Sequence, residues 1–266
     1  MIRGQGLHGA ATASVCFARS EGPVRLLQGD VSASLDELEV ASSERSTTVA
    51  SRDGRLRIAT VEHVLAALAG LGVRDGLSVV VDGPEMPLAD GGAADFFDAI
   101  AELRIRPSKP RLVVARSGAI DVGRSTYAFT PSSETELEVE VDFGDARLAR
   151  HASWDGAPAS FRSSFAPART FGFFREVASL AERGLASHVA AESVVVIGDD
   201  ILSAGRPFSA DEPARHKLLD LAGDLYLHGG PPLGRVRAIR PGHAATHEAV
   251  RRALETGILD RLHRRP

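Results

Sequence analysis

Between Asp211-Glu212-Pro213 and Gly229-Gly230-Pro231-Pro232 the chain spells out one long helix whose two faces need different surroundings. Asp211 stands at the cap position and Pro213 in the first turn, where its missing N–H leaves no bond unmade. The Gly-Gly-Pro-Pro run stops the helix near His228. Leu218, Leu221, Ala222 and Leu225 form an apolar face that needs a core. His216, Asp220 and Asp224 recur at i, i+4, i+8 on another face. Side chains one turn apart sit about 5–6 Å apart at Cβ, so an imidazole and a carboxylate can converge on one divalent cation. Helical His-x-x-x-Asp also arises by chance as a surface pair worth about 0.2–0.5 kcal/mol. The face becomes a metal site only if a third ligand arrives from elsewhere and one position stays open for water.

The rest of the chain alternates strand-like and helix-like segments. Residues 12–17 (TASVCF) and 24–28 (VRLLQ) read as strands, Cys16 within the first. Thr60 reads as the N-cap of a helix whose Val61, Val64, Leu65 and Leu68 share one face, with Gly72 as its stop. A buried strand over 77–82 and a helix over 93–103 follow, and Pro107 and Pro110 mark residues 105–111 as the domain boundary. In the second half Leu137, Val139, Val141 and Phe143 alternate with acidic residues, as in a strand with one wet face. Residues 173–183 read as helix, 192–197 and 235–239 as strands, and 246–262 as a closing helix. No short repeat is visible. Strands and helices mix without a regular βαβ rhythm, which predicts an α+β protein. Its two domains are residues 1–107, carrying Glu62-His63, and 108–266, carrying the His216/Asp220 helix.

Composition removes several alternatives. A single cysteine among 266 residues excludes an internal disulfide and any Cys-rich metal site, so the nine histidines must supply the soft ligands. The formal charge of -4 and aromatic content of 5% give no sign of a nucleic-acid partner. The N-terminal MIRGQGLHGA lacks the apolar segment of a signal peptide, and no apolar run is long enough to span a bilayer. A cytoplasmic location is the expectation.

Four further segments are polar and oddly placed. Gly4-Gln5-Gly6-Leu7-His8-Gly9 matches the dinucleotide fingerprint formally, but no strand is expected before it and a strand rather than a helix after it. It is better described as a Gly-rich turn holding His8. Glu62-His63 opens a helix, and Ala67 and Gly70 follow His63 one and two turns on. Close packing explains the small residues but not the carboxylate and imidazole beside them. On this segment alone a capping or surface role and a chemical role both stand. Arg169-Thr170-Phe171-Gly172-Phe173 offers a hydroxyl at a turn, and Pro241-Gly242-His243 a loop histidine. His243 becomes a candidate acid only if it meets the Asp220/Asp224 face.

Taken together, TVEHVLAALAGLG, DGPEMPLADGGAADF, ARTFGF, RHKLLDLAGDLY and the PGHA turn resemble, in order and rough spacing, the UDP-3-O-acyl-N-acetylglucosamine deacetylases, the zinc amidases of lipid A synthesis. The resemblance covers nearly the whole chain. It implies two α+β domains with the active site between them, and a Zn2+ ion, or Fe2+ in its place, held by His63, His216 and Asp220. By the same resemblance Glu62 is the general base, His243 the catalytic histidine opposite it, Asp224 its orienting carboxylate, and Thr170 a hydroxyl at the oxyanion. Lys217, His8 and Phe171 then contact the substrate, a UDP-linked acylated amino sugar, with transient contact at the inner membrane surface.

The sequence departs from the family pattern in three places. The strand before the Gly-rich turn is expected to be missing. The turn reads LHGA, where Ser or Thr usually follows the His. Residues 186–193 (ASHVAAES) replace a Gly-Gly-Ser segment beside the acyl-chain passage. Two rival readings follow: a zinc amidase on another N-acetylated sugar conjugate, and a metal-binding paralogue without turnover. Retention of Glu62 and His243 argues against the paralogue, since a structural metal site needs neither.

Overall fold

The computed structural model describes residues 1–174 and 189–262. Two five-stranded sheets carry the architecture. The first is built from β1 (Ile2–Gln5), β2 (Thr12–Pro23), β3 (Arg25–Gln28) and β4 (Val31–Ser34). A three-stranded antiparallel excursion follows: β5 (Leu38–Ser42), β6 (Thr48–Ser51) and β7 (Arg57–Ile58). Helix α1 (Glu62–Leu71) then leads to β8 (Asp75–Asp82) and to helix α2 (Ala94–Ala101). Strand β8 inserts into the sheet centre, antiparallel to β2 and parallel to β3, giving the order β1-β2-β8-β3-β4.

After β9 (Leu112–Val114) the second half repeats this plan. The strands β10 (Gly118–Val122), β11 (Ser125–Thr130), β12 (Thr135–Glu140) and β13 (His151–Trp154) come first. A three-stranded excursion of β14 (Thr170–Phe173), β15 (Val194–Ile197) and β16 (Ile201–Ser203) follows. Helix α3 (Glu212–Leu227), strand β17 (Gly234–Ile239) and helix α4 (His243–Glu255) complete it, and β18 (Leu259–Arg261) pairs with β9. Strand β17 enters antiparallel to β11 and parallel to β12, in the order β10-β11-β17-β12-β13. The five-stranded sheets of the two halves therefore share one topology that the sequence, read for short repeats, does not reveal, while the excursions differ, β14 and β15 running parallel.

Local chemistry explains the placement. In β8 the side chains of Leu77, Val79 and Val81 are buried while Val80 and Asp82 face out, the period-2 pattern of a half-covered strand. In β12 Leu137 and Val139 point to the core, and Glu136, Glu138 and Glu140 pair across the wet face with Arg235 and Arg237 at 2.7–3.0 Å. Helix α1 is buried from Glu62 to Gly70 and packs on α3 and α2. Its approach to α3 depends on Gly223, where a Cβ would run into the backbone carbonyl of Glu62. On the other side, Gly70 makes room for the ring of Phe161. Leu65, Leu68, Val79, Phe96, Tyr127, Leu218, Leu221, Leu225 and Val236 belong to one continuous core drawn from both halves.

The expected elements are present with several corrections. The first helix caps at Val61, not Thr60, which instead adopts a left-handed backbone with φ of 55°. A strand does precede the Gly-rich turn: Ile2–Gln5 pairs antiparallel with β2, Ile2 opposite Val15. Phe173 ends a strand rather than opening a helix, and residues 175–183 of that expected helix lie outside the described residues. The 192–197 strand begins at Val194, after a 3-10 turn over Ala191–Ser193. The closing helix starts three residues earlier than expected, at His243, and ends at Glu255, with a strand where helix was expected over 259–261. His243 is thus a first-turn helix residue and not a loop histidine. No helix among the described residues is long and apolar enough to cross a membrane.

Candidate metal centre

Three elements converge at the N-terminal end of α1. The chain enters α1 through Thr60, whose hydroxyl donates to Glu85 Oε1 at 2.8 Å. The first turn of α1 then presents Glu62 and His63 to the face of α3 that carries His216, Asp220 and Asp224. His243 arrives from the first turn of α4. All six side chains are buried, none more than 9% exposed.

His63, His216 and Asp220 each offer one ligand atom, and these atoms lie within 4.8 Å of one another. Asp220 Oδ1 is 3.4 Å from His216 Nε2 and 3.9 Å from His63 Nε2. Those separations are long for hydrogen bonds. They suit ligands that share one ion at ~2.0–2.2 Å from each. The imidazoles stand edge to face, centroids 5.1 Å apart. The Ala168 carbonyl accepts a hydrogen bond from His216 Nδ1 at 2.9 Å, which leaves the Nε2 lone pair facing the cluster. Lys217 Nζ donates to Asp220 Oδ2 at 2.7 Å, leaving Oδ1 for the shared point.

The protonation states match the geometry. Burial, then the neighbouring His216, pushes His63 down to about 3. Burial likewise lowers His216. Asp220 is held below the usual carboxylate range: burial opposes its charge, but Lys217 and the surrounding imidazoles outweigh it. Two neutral imidazoles and one carboxylate form a donor set that fits a divalent cation and leaves it net positive.

Glu62 and His243 flank this triad without belonging to it. Glu62 Oε1 is 3.9 Å from His243 Nε2, and Glu62 Oε2 accepts the Thr47 N–H at 3.0 Å. Burial raises Glu62 to about 8, with Asp220 and Asp224 adding to the rise and His243 offsetting it. His243 Nδ1 donates to Asp224 Oδ2 at 2.8 Å. Burial opposes the charged imidazole, but the Asp224 carboxylate prevails and lifts His243 to about 10. A carboxyl group with raised proton affinity and an imidazolium able to give a proton therefore border three residues that could hold a cation.

The remaining sequence candidates are placed as follows. The Phe171 ring lies 6.0 Å from the His216 ring, and Lys217 Nζ sits 6.0 Å from the Phe171 centroid. Thr170 is buried at the start of β14, its N–H bonded to the Gly91 carbonyl at 2.7 Å, two residues beyond the carbonyl that orients His216. His8 is exposed on the Gly-rich turn, whose Gly6 is buried. The N–H groups of Leu7, His8 and Gly9 all donate to the Glu85 carboxylate at 2.9–3.0 Å, which ties that turn through Thr60 to the start of α1.

Sequence reasoning missed Thr47. Its N–H holds Glu62, and its hydroxyl donates to Asp224 Oδ1 at 2.6 Å, so one residue of the first half fixes both flanking carboxylates. Nothing in the spacing of a Ser-Thr-Thr run marks it. Also missed was the buried Arg169–Glu212 pair at 2.8 Å, which anchors the strand carrying Thr170 to the start of α3. His247 was missed as well, because with His243 read as a loop residue the i, i+4 spacing of the two histidines on one helix did not show.

The chain matches the family model described as LpxC, UDP-3-O-acyl N-acetylglycosamine deacetylase, over residues 1–255. The UDP-3-O-acyl-N-acetylglucosamine deacetylases of Brucella melitensis biotype 2, Brucella ovis and Brucella suis are each 34% identical to it over 265 residues, spanning 95% of this chain and 92% of each relative.

Proposed function

The chain belongs to the UDP-3-O-acyl N-acetylglycosamine deacetylase family, and from that membership we propose how its residues divide the work of hydrolysing the N-acetyl group of a UDP-3-O-acyl-N-acetylglucosamine. The products are acetate and the free amino sugar of lipid A synthesis. The observation that carries the reading is the triad of His63, His216 and Asp220 beside an oppositely poised Glu62 and His243.

We assign a Zn2+ ion, or Fe2+ in its place, to the triad. When bound, such an ion supplies Lewis-acid polarisation of a carbonyl and acidifies a water. Glu62, buried and adjacent to His63, takes the proton of the attacking water at its carboxylate. Water oxygen adds to the acetamide carbonyl carbon, and charge grows on the carbonyl oxygen. The Thr170 hydroxyl and protonated His243 offset that charge. The C–N bond then breaks as His243 Nε2 gives its proton to the leaving amine. Asp224, bonded to Nδ1, keeps the imidazole charged and oriented for this step. Lys217, Phe171 and His8 are the substrate contacts in this reading. The cytoplasm is the compartment we assign, with the inner membrane surface as the place where an acylated substrate is met.

The test is acetate release from UDP-3-O-acyl-N-acetylglucosamine, beside UDP-N-acetylglucosamine. The reading expects acetate and free amine in equal amounts from the acylated substrate and little from the other. Preference for a different N-acetylated sugar conjugate would change the substrate, and no acetate from any would leave a non-catalytic paralogue. A series of acyl lengths belongs in the same assay. The departure over 186–193 puts Cβ-bearing residues where glycines are expected, and at its end the Ser193 hydroxyl donates to the Ala89 carbonyl at 2.7 Å. We expect kcat/KM to rise only shallowly with chain length, although each buried CH2 can contribute about 0.8 kcal/mol. Residues 186–188 of this segment lie outside the described residues.

A further inference from the structure

The hydrogen bonds around His243 do not stop at Asp224. On the next turn of α4, His247 is buried, with Nε2 3.2 Å from Thr47 Oγ1 and 3.5 Å from Asp224 Oδ1. Its Nδ1 is 2.9 Å from Nε2 of His228, at the C-terminal cap of α3. Nothing in the deacetylation chemistry argued above uses either imidazole.

Donor and acceptor roles along this chain follow by elimination. The Thr47 hydroxyl proton is committed to Asp224 Oδ1 at 2.6 Å. His247 Nε2 therefore faces two acceptors, the lone pairs of Thr47 Oγ1 and the carboxylate oxygen. A bare Nε2 lone pair there would be a buried acceptor against acceptors, an arrangement that costs the desolvation of an unpaired group. So Nε2 carries the hydrogen and Nδ1 accepts. His228 then donates its Nε2–H to His247 Nδ1. Burial holds both imidazoles in the neutral state this requires, His228 down to about 4. Every donor in the chain is aimed toward Asp224: His228 to His247, His247 to Thr47 Oγ1 with Oδ1 3.5 Å away, Thr47 to Oδ1, and His243 to Oδ2.

We propose that His247, braced by His228, is a positioning residue for the catalytic imidazole, acting through the Thr47 hydroxyl and the outer oxygen of Asp224. The inference rests on the reading of His243 as the acid of deacetylation. Without His247 the Thr47 hydroxyl alone holds Oδ1, and a hydroxyl with nothing fixing it can turn and let the carboxylate rotate and carry the His243 ring with it. A carboxylate held at both oxygens by groups on α4 and the loop before β6 cannot. A small error in the aim of a proton donor can cost a large factor in rate with little effect on binding.

The test compares His247→Leu, His247→Gln and His243→Ala in the metal-loaded protein. Leucine fills the space and removes the donor. The glutamine amide N–H can stand where Nε2–H stands. His247→Leu should lose about tenfold or more in kcat, with KM within about twofold and metal content unchanged, and His247→Gln should recover most of the loss. A leucine variant within about twofold of the native kcat, or a glutamine variant as impaired as leucine, would overturn the proposal. Should the leucine variant not fold, nitrogen-15 spectra of the native histidines decide. The Nε2–H tautomer at His247 is expected, and the Nδ1–H tautomer rules the chain out. If His243→Ala keeps the native rate, the acid assignment itself fails. If it abolishes turnover while His247→Leu does not, only the positioning role does.

Discussion

Asp224 shows how a residue's neighbours decide its role. By helical spacing it is as good a ligand as Asp220, yet its oxygens are taken by His243, Thr47 and His247. Asp220 instead gives one oxygen to Lys217 and turns the other to the two imidazoles. Spacing along one helix could place both carboxylates on one face, but only partners from other segments could separate their roles. Spacing offered His216 and Asp220 as partners on one helix face, but His63 was added to them by the family resemblance, since the Glu62-His63 segment alone left a capping and a chemical role both standing. Thr47 was not legible, because its importance comes entirely from contacts 15 and 177 residues away. A prediction follows for Asp224→Asn. The carboxylate raises His243 to about 10, so its removal lets the imidazole fall toward its ordinary value of ~6.5. His243 must be protonated to act as acid, so the basic limb of the pH–rate profile should move to lower pH and kcat at neutral pH should fall. A limb that stays in place would remove Asp224 from that role.

The elements were legible where a period or a breaker is strong. Helix α3 runs between Asp211 and His228 as its cap, proline and glycine signals require, although the Asp211 side chain bonds Arg215 rather than the helix N-termini. Strand β8 and the wet strand β12 follow from alternation. Boundaries set by long-range partners were missed. Thr60 looked like a cap, but Glu85 draws its hydroxyl away. The last helix stops at Glu255 because Leu259–Arg261 finds an edge at β9. What aligns α1 with α3 is Gly223, whose lack of a side chain lets the helix reach the Glu62 backbone. Gly223→Ala should therefore destabilise the protein by about 1–3 kcal/mol, the usual cost of overpacking. It should also weaken metal binding by moving His63 away from His216 and Asp220. Thermal unfolding and metal content measure the two effects, and an alanine variant unchanged in both would refute the close contact.

At the scale of the whole molecule, two halves whose five-stranded sheets share one strand order meet along α1 and α3, and the site lies on that seam. We propose 107/108 as the limit between them, in the stretch joining α2 to β9. The fold class was legible from the irregular order of strands and helices. The duplication was not, because it is a repeat of connections and not of residues. One core serves both halves. Glu62, His63 and Thr47 come from the first and His216, Asp220, Asp224 and His243 from the second, so neither half holds the centre alone. The central claim is a single-cation hydrolase, and it is tested most directly by removing the metal with a chelator and titrating Zn2+ back while following acetate release from UDP-3-O-acyl-N-acetylglucosamine. Activity should vanish on removal and return linearly, breaking at one ion per chain, with His63→Ala failing to recover at the same ion concentration. Undiminished acetate release from the metal-free protein, or full recovery by His63→Ala, would contradict it.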